Sequence, residues 1–150
     1  MTSAGQSRVE VMHGVNLDML GRRDPAIYGS QTLAELESAV AGFADELELE
    51  VGFFQSNFEG EFVEHLHGLR GSRDGILLNP GAWTHYSWAI HDALEIAGLP
   101  AVEVHLSAVD RREEWRRVSV IGDLCLATVS GLGVDGYREG LVRLRRGIDG

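Results

Sequence analysis

Short apolar runs alternate with amphipathic stretches along this chain, and that alternation is the first constraint on its fold. Ile76, Leu77 and Leu78 form an unbroken apolar run after Asp74-Gly75, the pattern of a parallel strand buried on both faces. Asn79-Pro80-Gly81-Ala82 turns the chain, and Thr84 is placed to cap a helix that Gly98 and Pro100 stop after Ala97. Upstream, Arg8 to Met12 reads as a first strand, followed by a long irregular loop over residues 13–30. Thr32 with Glu35 makes a capping box, opening a helix through about Glu46 with Leu33, Leu36, Val40 and Phe43 on one side. Leu49 to Phe54 is a second strand. Ser56 with Glu59 reads as another capping box, before a helix carrying Phe62, Val63 and Leu66 that Gly68 and Gly71 end. Ala101 to Leu106 is a fourth strand, Leu124 to Val129 a fifth, and Tyr137 to Arg146 a last helix.

Strand–helix units of this length imply an α/β fold: a five-stranded parallel sheet with helices on both faces, in flavodoxin-like order. No linker or internal repeat interrupts it, so residues 1–150 read as a single domain. Within it, residues 1–7 are expected to be a short flexible N-terminus and residues 13–30 an active-site lid.

Charge and composition narrow the function. The formal net charge is -10, which argues against nucleic acid and anionic membranes as partners. The lone Cys125 excludes an internal disulfide and suits a reducing compartment; its apolar surroundings, Leu124 to Ala127, favour inert burial over reactivity. The N-terminal residues hold no apolar signal core and no apolar run is long enough to span a membrane, so a soluble cytoplasmic protein is expected.

Candidate chemistry collects where the strands end, the place where open parallel sheets bind ligands. Asn79 closes the third strand. His85 and Asp92 are seven residues apart, two turns up one face of the expected helix. An amide, an imidazole and a carboxylate there suit a small polyhydroxylated ligand, although a capping Asn, a surface His and a solvated Asp would leave the same trace. The loop before the first helix holds Arg22, Arg23 and Tyr28 between Gly21 and Gly29. A phenol is a poor base near neutrality unless an adjacent cation favours its anion. A mobile surface loop with solvated arginines is the competing reading. On the fourth strand Glu103 and His105 share a side, and a carboxylate beside an imidazole fixes its tautomer and improves it as a proton donor and acceptor. A purely structural His–Glu pair fits as well. The amides of Leu106 and Ser107 could hold a carboxylate, and Arg116 could reach over the rim.

Two further patterns suggest other chemistry. Gly131 to Gly136 satisfies G-x-G-x-x-G between a strand and a helix, but no strand follows to carry the acidic residue a dinucleotide site needs. His65 and His67 on a helix diverge by about 200°, a poor metal pair.

With these residues in hand, the chain resembles the type II 3-dehydroquinate dehydratases. Four blocks carry the resemblance: GVNLDMLGRRDPAIYG, FFQSNFEGEFVEHLH, ILLNPGAWTHYSWAIHDAL and PAVEVHLSAVDRREEWRRVS, with a weaker GLGVDGY near the end. The resemblance implies a lyase that removes water from 3-dehydroquinate to give 3-dehydroshikimate through an enol or enolate, with no metal and no organic cofactor. The same reaction serves the shikimate pathway of aromatic biosynthesis and quinate breakdown. It also implies a homo-oligomer, a dodecamer of trimers; Trp83, Trp88 and Trp115 could serve its interfaces, with core packing equally open for each. By motif position, Tyr28 would remove the proton alpha to the ketone, Arg23 would hold it ionised, and Asn16 would position a water on the enolate oxygen. His105, oriented by Glu103, would protonate the departing hydroxyl. Asn79, His85, Asp92 and Arg116 would bind substrate, with the amides of Leu106 and Ser107 on its carboxylate.

Four positions depart from the family's usual pattern: Val15, Asp18 and Asp24 in the first block, and Ala108 after EVHLS. Asp18 is expected to bring negative charge near the lid, and Ala108 to loosen the loop toward Arg116. Two other classes stay open: a non-catalytic binder of a cyclic hydroxy acid, and a flavodoxin-like nucleotide or flavin module. The binder does not need Tyr28, Arg23 and His105 together. The flavin module needs a phosphate-cradling loop after the first strand, and His13-Gly-Val-Asn-Leu-Asp is a poor one.

Overall fold

The computed structural model describes residues 5–150. Residues 1–4 of the expected flexible N-terminus lie outside the described residues, while Ser7 already belongs to the first strand. Five strands, β1 (Ser7–His13), β2 (Leu49–Gln55), β3 (Gly75–Asn79), β4 (Ala101–His105) and β5 (Ala127–Ser130), form one parallel sheet in the order β2-β1-β3-β4-β5. This is the flavodoxin-like order, with helices α1 (Pro25–Tyr28), α2 (Leu33–Glu46), α3 (Glu59–His67), α4 (Trp88–Ala97) and α5 (Asp135–Asp149) in the connections and at the end. No helix among the described residues is long and apolar enough to cross a membrane.

Strand alternation divides the core in two. Val9, Val11, Leu77, Val102 and Val104 pack against Leu36, Val40 and Ala44 of α2 and Tyr137, Leu141 and Leu144 of α5. Met12, Ile76, Leu78 and Ala101 turn the other way, onto Phe62 and Leu66 of α3 and Ile90, Ala93 and Leu94 of α4. All of β3 and β4 is buried, as the apolar runs require; each such Leu, Ile or Val contributes about 1.5–3 kcal/mol of burial. The capping box at α2 forms in both directions, with Thr32 Oγ1 accepting from Glu35 N–H and Glu35 Oε1 accepting from Thr32 N–H.

Three expectations are corrected, and one that stood open is decided. Thr84 does not cap a helix: residues Gly81–His85 form a 3-10 turn, and Ser87 caps α4 by accepting from Ile90 N–H at 3.1 Å. The Ser56/Glu59 capping box is absent; Ser56 Oγ accepts from Phe58 N–H and donates to Glu61, while the Glu59 carboxylate accepts from Ser87 of α4. The fifth strand starts at Ala127, because Gly122–Leu124 is a 3-10 turn that folds Leu124 and Cys125 onto the α3/α4 core. Trp83 is core, edge-on to Phe62 at 5.6 Å, whereas Trp88 and Trp115 are exposed.

Candidate active site

Parallel strands bring His13, Asn79 and His105 to one rim of the sheet, where β1, β3 and β4 end. The cavity above them is bounded by the loop after β1, the turn after β3 and the charged loop after β4. Gly14 and Gly81 permit this closeness: a Cβ on Gly14 would come within 2.2 Å of the Pro80 carbonyl oxygen, and Gly81 holds φ at +68°.

Tyr28 lines the cavity from the long loop. The short helix α1 places it, with Asp24 accepting from Ala26 N–H at 3.0 Å and Pro25 in the first turn. Asp24 therefore has a structural use at its altered position. Arg23 donates from Nη2 to the Tyr28 hydroxyl at 2.7 Å, and its guanidinium carbon lies 3.7 Å from the ring centroid. A second guanidinium, Arg112, stands 5.0 Å from the same centroid. Arg22 is exposed. Asp18 is engaged elsewhere, accepting from Asn57 Nδ2 at 3.1 Å, while Asn57 Oδ1 accepts from the backbone N–H of Asn16. Asn16 lines the cavity in a left-handed conformation at φ +70°.

His105 faces the cavity from the end of β4, and its Nε2 meets Glu103 Oε2 at 2.5 Å. Glu103 is wholly buried and receives three hydroxyls: Thr84 on Oε2 at 2.5 Å, and Ser119 and Thr128 on Oε1 at 2.7 and 3.3 Å. Burial alone would push this carboxyl up, but the bonds from His105, Ser119 and Thr84 together with the charge of His105 outweigh it, holding it below its ordinary range. An ionised Glu103 only accepts, so His105 Nε2 carries a proton and Nδ1 is left to serve the cavity.

The recognition side is polar and cationic. Asn79, His85, Leu106, Ser107 and Arg116 all line the cavity. His85 Nδ1 donates to the Val118 carbonyl at 2.7 Å, which leaves Nε2 as an acceptor. Burial, with the neighbouring His105 and Arg116, lowers His85 below its ordinary value against the opposing bond to Val118. Arg116 is held by Glu113 at 2.8 Å, and the carbonyls of Ser107 and Leu106 accept from Gly131 and Gly133 N–H. That backbone tie holds the loop start beside Ala108 without a side-chain amide. Asp92 is different. It sits on the exposed face of α4, paired with His91 at 3.0 Å, and does not line this cavity; with His85 in the 3-10 turn, the two do not share a helix face.

The family model described as dehydroquinase class II matches residues 7–145. The chain belongs to that family. It is 47% identical over 95% of its length to the 3-dehydroquinate dehydratase of Carboxydothermus hydrogenoformans, covering 96% of that protein. The crystal structure of the type II dehydroquinase from Butyrivibrio crossotus superposes with a TM-score of 0.90 at 35% identity, over 95% of this chain and 99% of that one. The type II dehydroquinase from Propionibacterium acnes gives 0.88 at 35% identity, over 99% and 100%.

Arg112 and Ser119 are site residues that no local sequence pattern marks, and Thr84 serves Glu103 rather than a helix start. Arg112 lines the cavity and donates to Ser107 Oγ at 3.3 Å. His65 is no ligand candidate, since Nε2 is bonded to the buried Glu10 at 2.5 Å and the ring stacks on Phe54. Cys125 fits inert burial, which pushes its thiol up to about 12.

Proposed function

We propose that this chain is a type II dehydroquinase that converts 3-dehydroquinate to 3-dehydroshikimate and water. The observation that carries the reading is one cavity lined by Tyr28 and His105, each backed by the partner its task needs. Tyr28 Oη, as phenolate beside the permanently charged Arg23, takes the proton alpha to the ketone. The electron pair moves onto the carbonyl oxygen as an enolate, where a water held by Asn16 donates. The enolate then collapses, the carbon–hydroxyl bond at the beta position breaks, and His105 delivers a proton to the departing oxygen. Glu103 stays ionised and stabilises the imidazole through the transfer. One proton is gained by Tyr28 and one is lost by His105, so water leaves with no net change in the enzyme's protons, and a proton passing from Tyr28 to His105 through solvent restores the starting state.

Binding follows the same chemistry. The substrate carboxylate is read by the amides of Leu106 and Ser107 within reach of Arg112 and Arg116, a cationic rim on a chain of net charge -10. Asn79 and His85 take ring hydroxyls. Residues 13–30 act as the lid that carries Arg23 and Tyr28 over the bound ring, and the 150 residues work as one catalytic domain. Every proton transfer is assigned to a side chain, so the reaction needs no metal or organic cofactor. We also infer a homo-oligomer, a dodecamer of trimers, supported by the exposed Tyr86, Trp88, Trp115 and Val118. The free Cys125 favours the cytoplasm.

The test is incubation of the purified protein with 3-dehydroquinate while following the ultraviolet absorbance of the conjugated enone. Absorbance should rise, and chelator should leave the rate unchanged. No rise with well-folded protein would favour a non-catalytic binder.

A further inference from the structure

At the floor of the cavity, on the α5 side of the sheet, Asn79 is backed by two polar side chains that are shut away from solvent. His13 ends β1 and Asn79 ends β3, and the two are paired in register. Tyr137, in the first turn of α5, closes over both. His13 and Tyr137 are 0% exposed and Asn79 4%. The Tyr137 hydroxyl lies 3.0 Å from His13 Nε2 and 3.2 Å from Asn79 Nδ2, while Gly81 N–H donates to Asn79 Oδ1 at 3.1 Å.

The glycine-rich GLGVDGY stretch is what delivers Tyr137 to this place. Gly131 and Gly133 hold φ at +78° and +60°, turning the chain from β5 into α5. Gly140 lets the helix lie close on the sheet, since a Cβ there would come within 2.7 Å of Leu77 Cδ1. A motif with the spacing of a phosphate loop thus serves here to drive a phenol under the strand ends.

Chemistry fixes the direction of each bond in the chain. A backbone N–H can only donate, so the Asn79 atom facing Gly81 is the oxygen, and Nδ2 faces Tyr137. Nδ2 then donates to the Tyr137 oxygen, which directs the hydroxyl proton to His13. His13 Nε2 must therefore be a bare lone pair, on a neutral ring with its proton on Nδ1. Burial enforces that state by pushing His13 down to about 4.

We propose that His13 and Tyr137 are a buried orienting pair that fixes the Asn79 amide, so that Asn79 presents one defined donor and one defined acceptor to a substrate hydroxyl. The proposal rests on the dehydratase reading of the cavity and adds two positioning residues that do not touch substrate. Fold stability alone does not account for the pair. His13 Nδ1 has no hydrogen-bond partner among the described residues, a cost that an apolar pair of the same shape would avoid.

The test compares kcat, KM for 3-dehydroquinate and Tm in wild type, Tyr137→Phe, His13→Leu/Tyr137→Phe, Asn79→Ala and Asn79→Ala/Tyr137→Phe. Tyr137→Phe should raise KM about tenfold while kcat falls no more than about threefold, the loss of one oriented hydrogen bond in binding. The His13→Leu/Tyr137→Phe protein should show the same KM rise with Tm close to wild type, a split that a packing role would not produce. In the Asn79→Ala background, Tyr137→Phe should add nothing further to KM. An active wild type with KM unmoved in Tyr137→Phe, or KM effects that simply add, would overturn the pair. A wild type that does not turn over would overturn the dehydratase reading, and the pair with it. If Tyr137→Phe does not fold, His13→Leu alone decides: it takes away the acceptor of the Tyr137 hydroxyl proton and frees the phenol oxygen to turn from Asn79 Nδ2, so KM should rise, and an unchanged KM would overturn the proposal.

Discussion

Arg23 donates to the Tyr28 hydroxyl at 2.7 Å while its guanidinium lies 3.7 Å from the centre of the same ring. The two contacts hold the phenol by its oxygen and by its face. The first stabilises negative charge on the oxygen, and the second fixes the ring that carries it.

Removing that guanidinium should therefore cost turnover more than binding. Arg23→Ala is expected to lower kcat roughly 10²–10³-fold, the usual loss for a donor aimed at developing charge, with KM changed far less. Arg23→Lys should recover only part of the rate, because an ammonium cannot both donate to the hydroxyl and lie flat on the ring. Steady-state kinetics of both variants checks this. Equal losses in kcat and in substrate affinity would assign Arg23 to binding instead.

The Glu103 carboxylate carries a second prediction. It accepts from His105, Thr84, Ser119 and Thr128 with no exposure to water. Glu103→Gln removes the charge and puts an NH2 where one acceptor oxygen stood, so Ser119 and Thr128 must reverse their hydroxyls to accept from it. Stability to denaturant should fall by roughly 1.5–3 kcal/mol, the worth of a buried hydrogen bond to a charged group. Turnover should fall as well, since His105 loses the anion that supports its charged form. Unchanged unfolding and unchanged kcat together would remove Glu103 from the site's design.

What the sequence could tell differed from residue to residue. Glu103 and His105 were readable because strand alternation puts i and i+2 on one side. The sheet order followed from the alternation of elements and the rule for crossovers. Arg23 and Tyr28 were readable as loop chemistry, but their contact depends on α1, a four-residue helix too short for any periodic signal. Thr84, Ser119 and Thr128 converge on Glu103 from 19, 16 and 25 residues away, and no local pattern announces such a meeting. Thr84 was misread because hydroxyls at helix starts are usually caps, and here tertiary demand took the hydroxyl while Ser87 did the capping. Asp18 brings negative charge near the lid in sequence, yet the structure engages it with Asn57.

Acid stability should separate two buried groups. His13 is lowered to about 4 from 6.5, so the folded state keeps it neutral while the unfolded chain binds a proton below about pH 6.5. Its contribution is full above that pH and is lost as pH falls toward 4, on the order of 3 kcal/mol at roughly 1.4 kcal/mol per unit. Glu103 is also lowered, so its stabilisation is present above the ordinary carboxyl range and is lost only as pH falls below that range. Denaturant midpoints measured across this interval should decline in two stages. In His13→Leu/Tyr137→Phe the upper stage should shrink to the smaller part that the half-buried His85 contributes, and an upper stage of undiminished size would assign it to another group.

Assembly is tested by native mass measurement at assay concentration. The exposed Trp88 and Trp115, at 62% and 48%, leave large aromatic surface for a partner copy to cover. A dodecamer is expected. A stable monomer with full activity would refute the oligomer and leave those tryptophans without a use.

The central claim is that Tyr28 takes the substrate proton, and Tyr28→Phe tests it most directly. The ring and its face contact with Arg23 remain, while the proton-accepting oxygen and the hydrogen bond it receives from Arg23 are removed. The measurement is enone formation from 3-dehydroquinate by wild type and Tyr28→Phe, alongside calorimetric binding of the product to each. The account predicts rapid absorbance growth in wild type, none above background in Tyr28→Phe, and product binding within about tenfold in both. Near-normal turnover in Tyr28→Phe would contradict it.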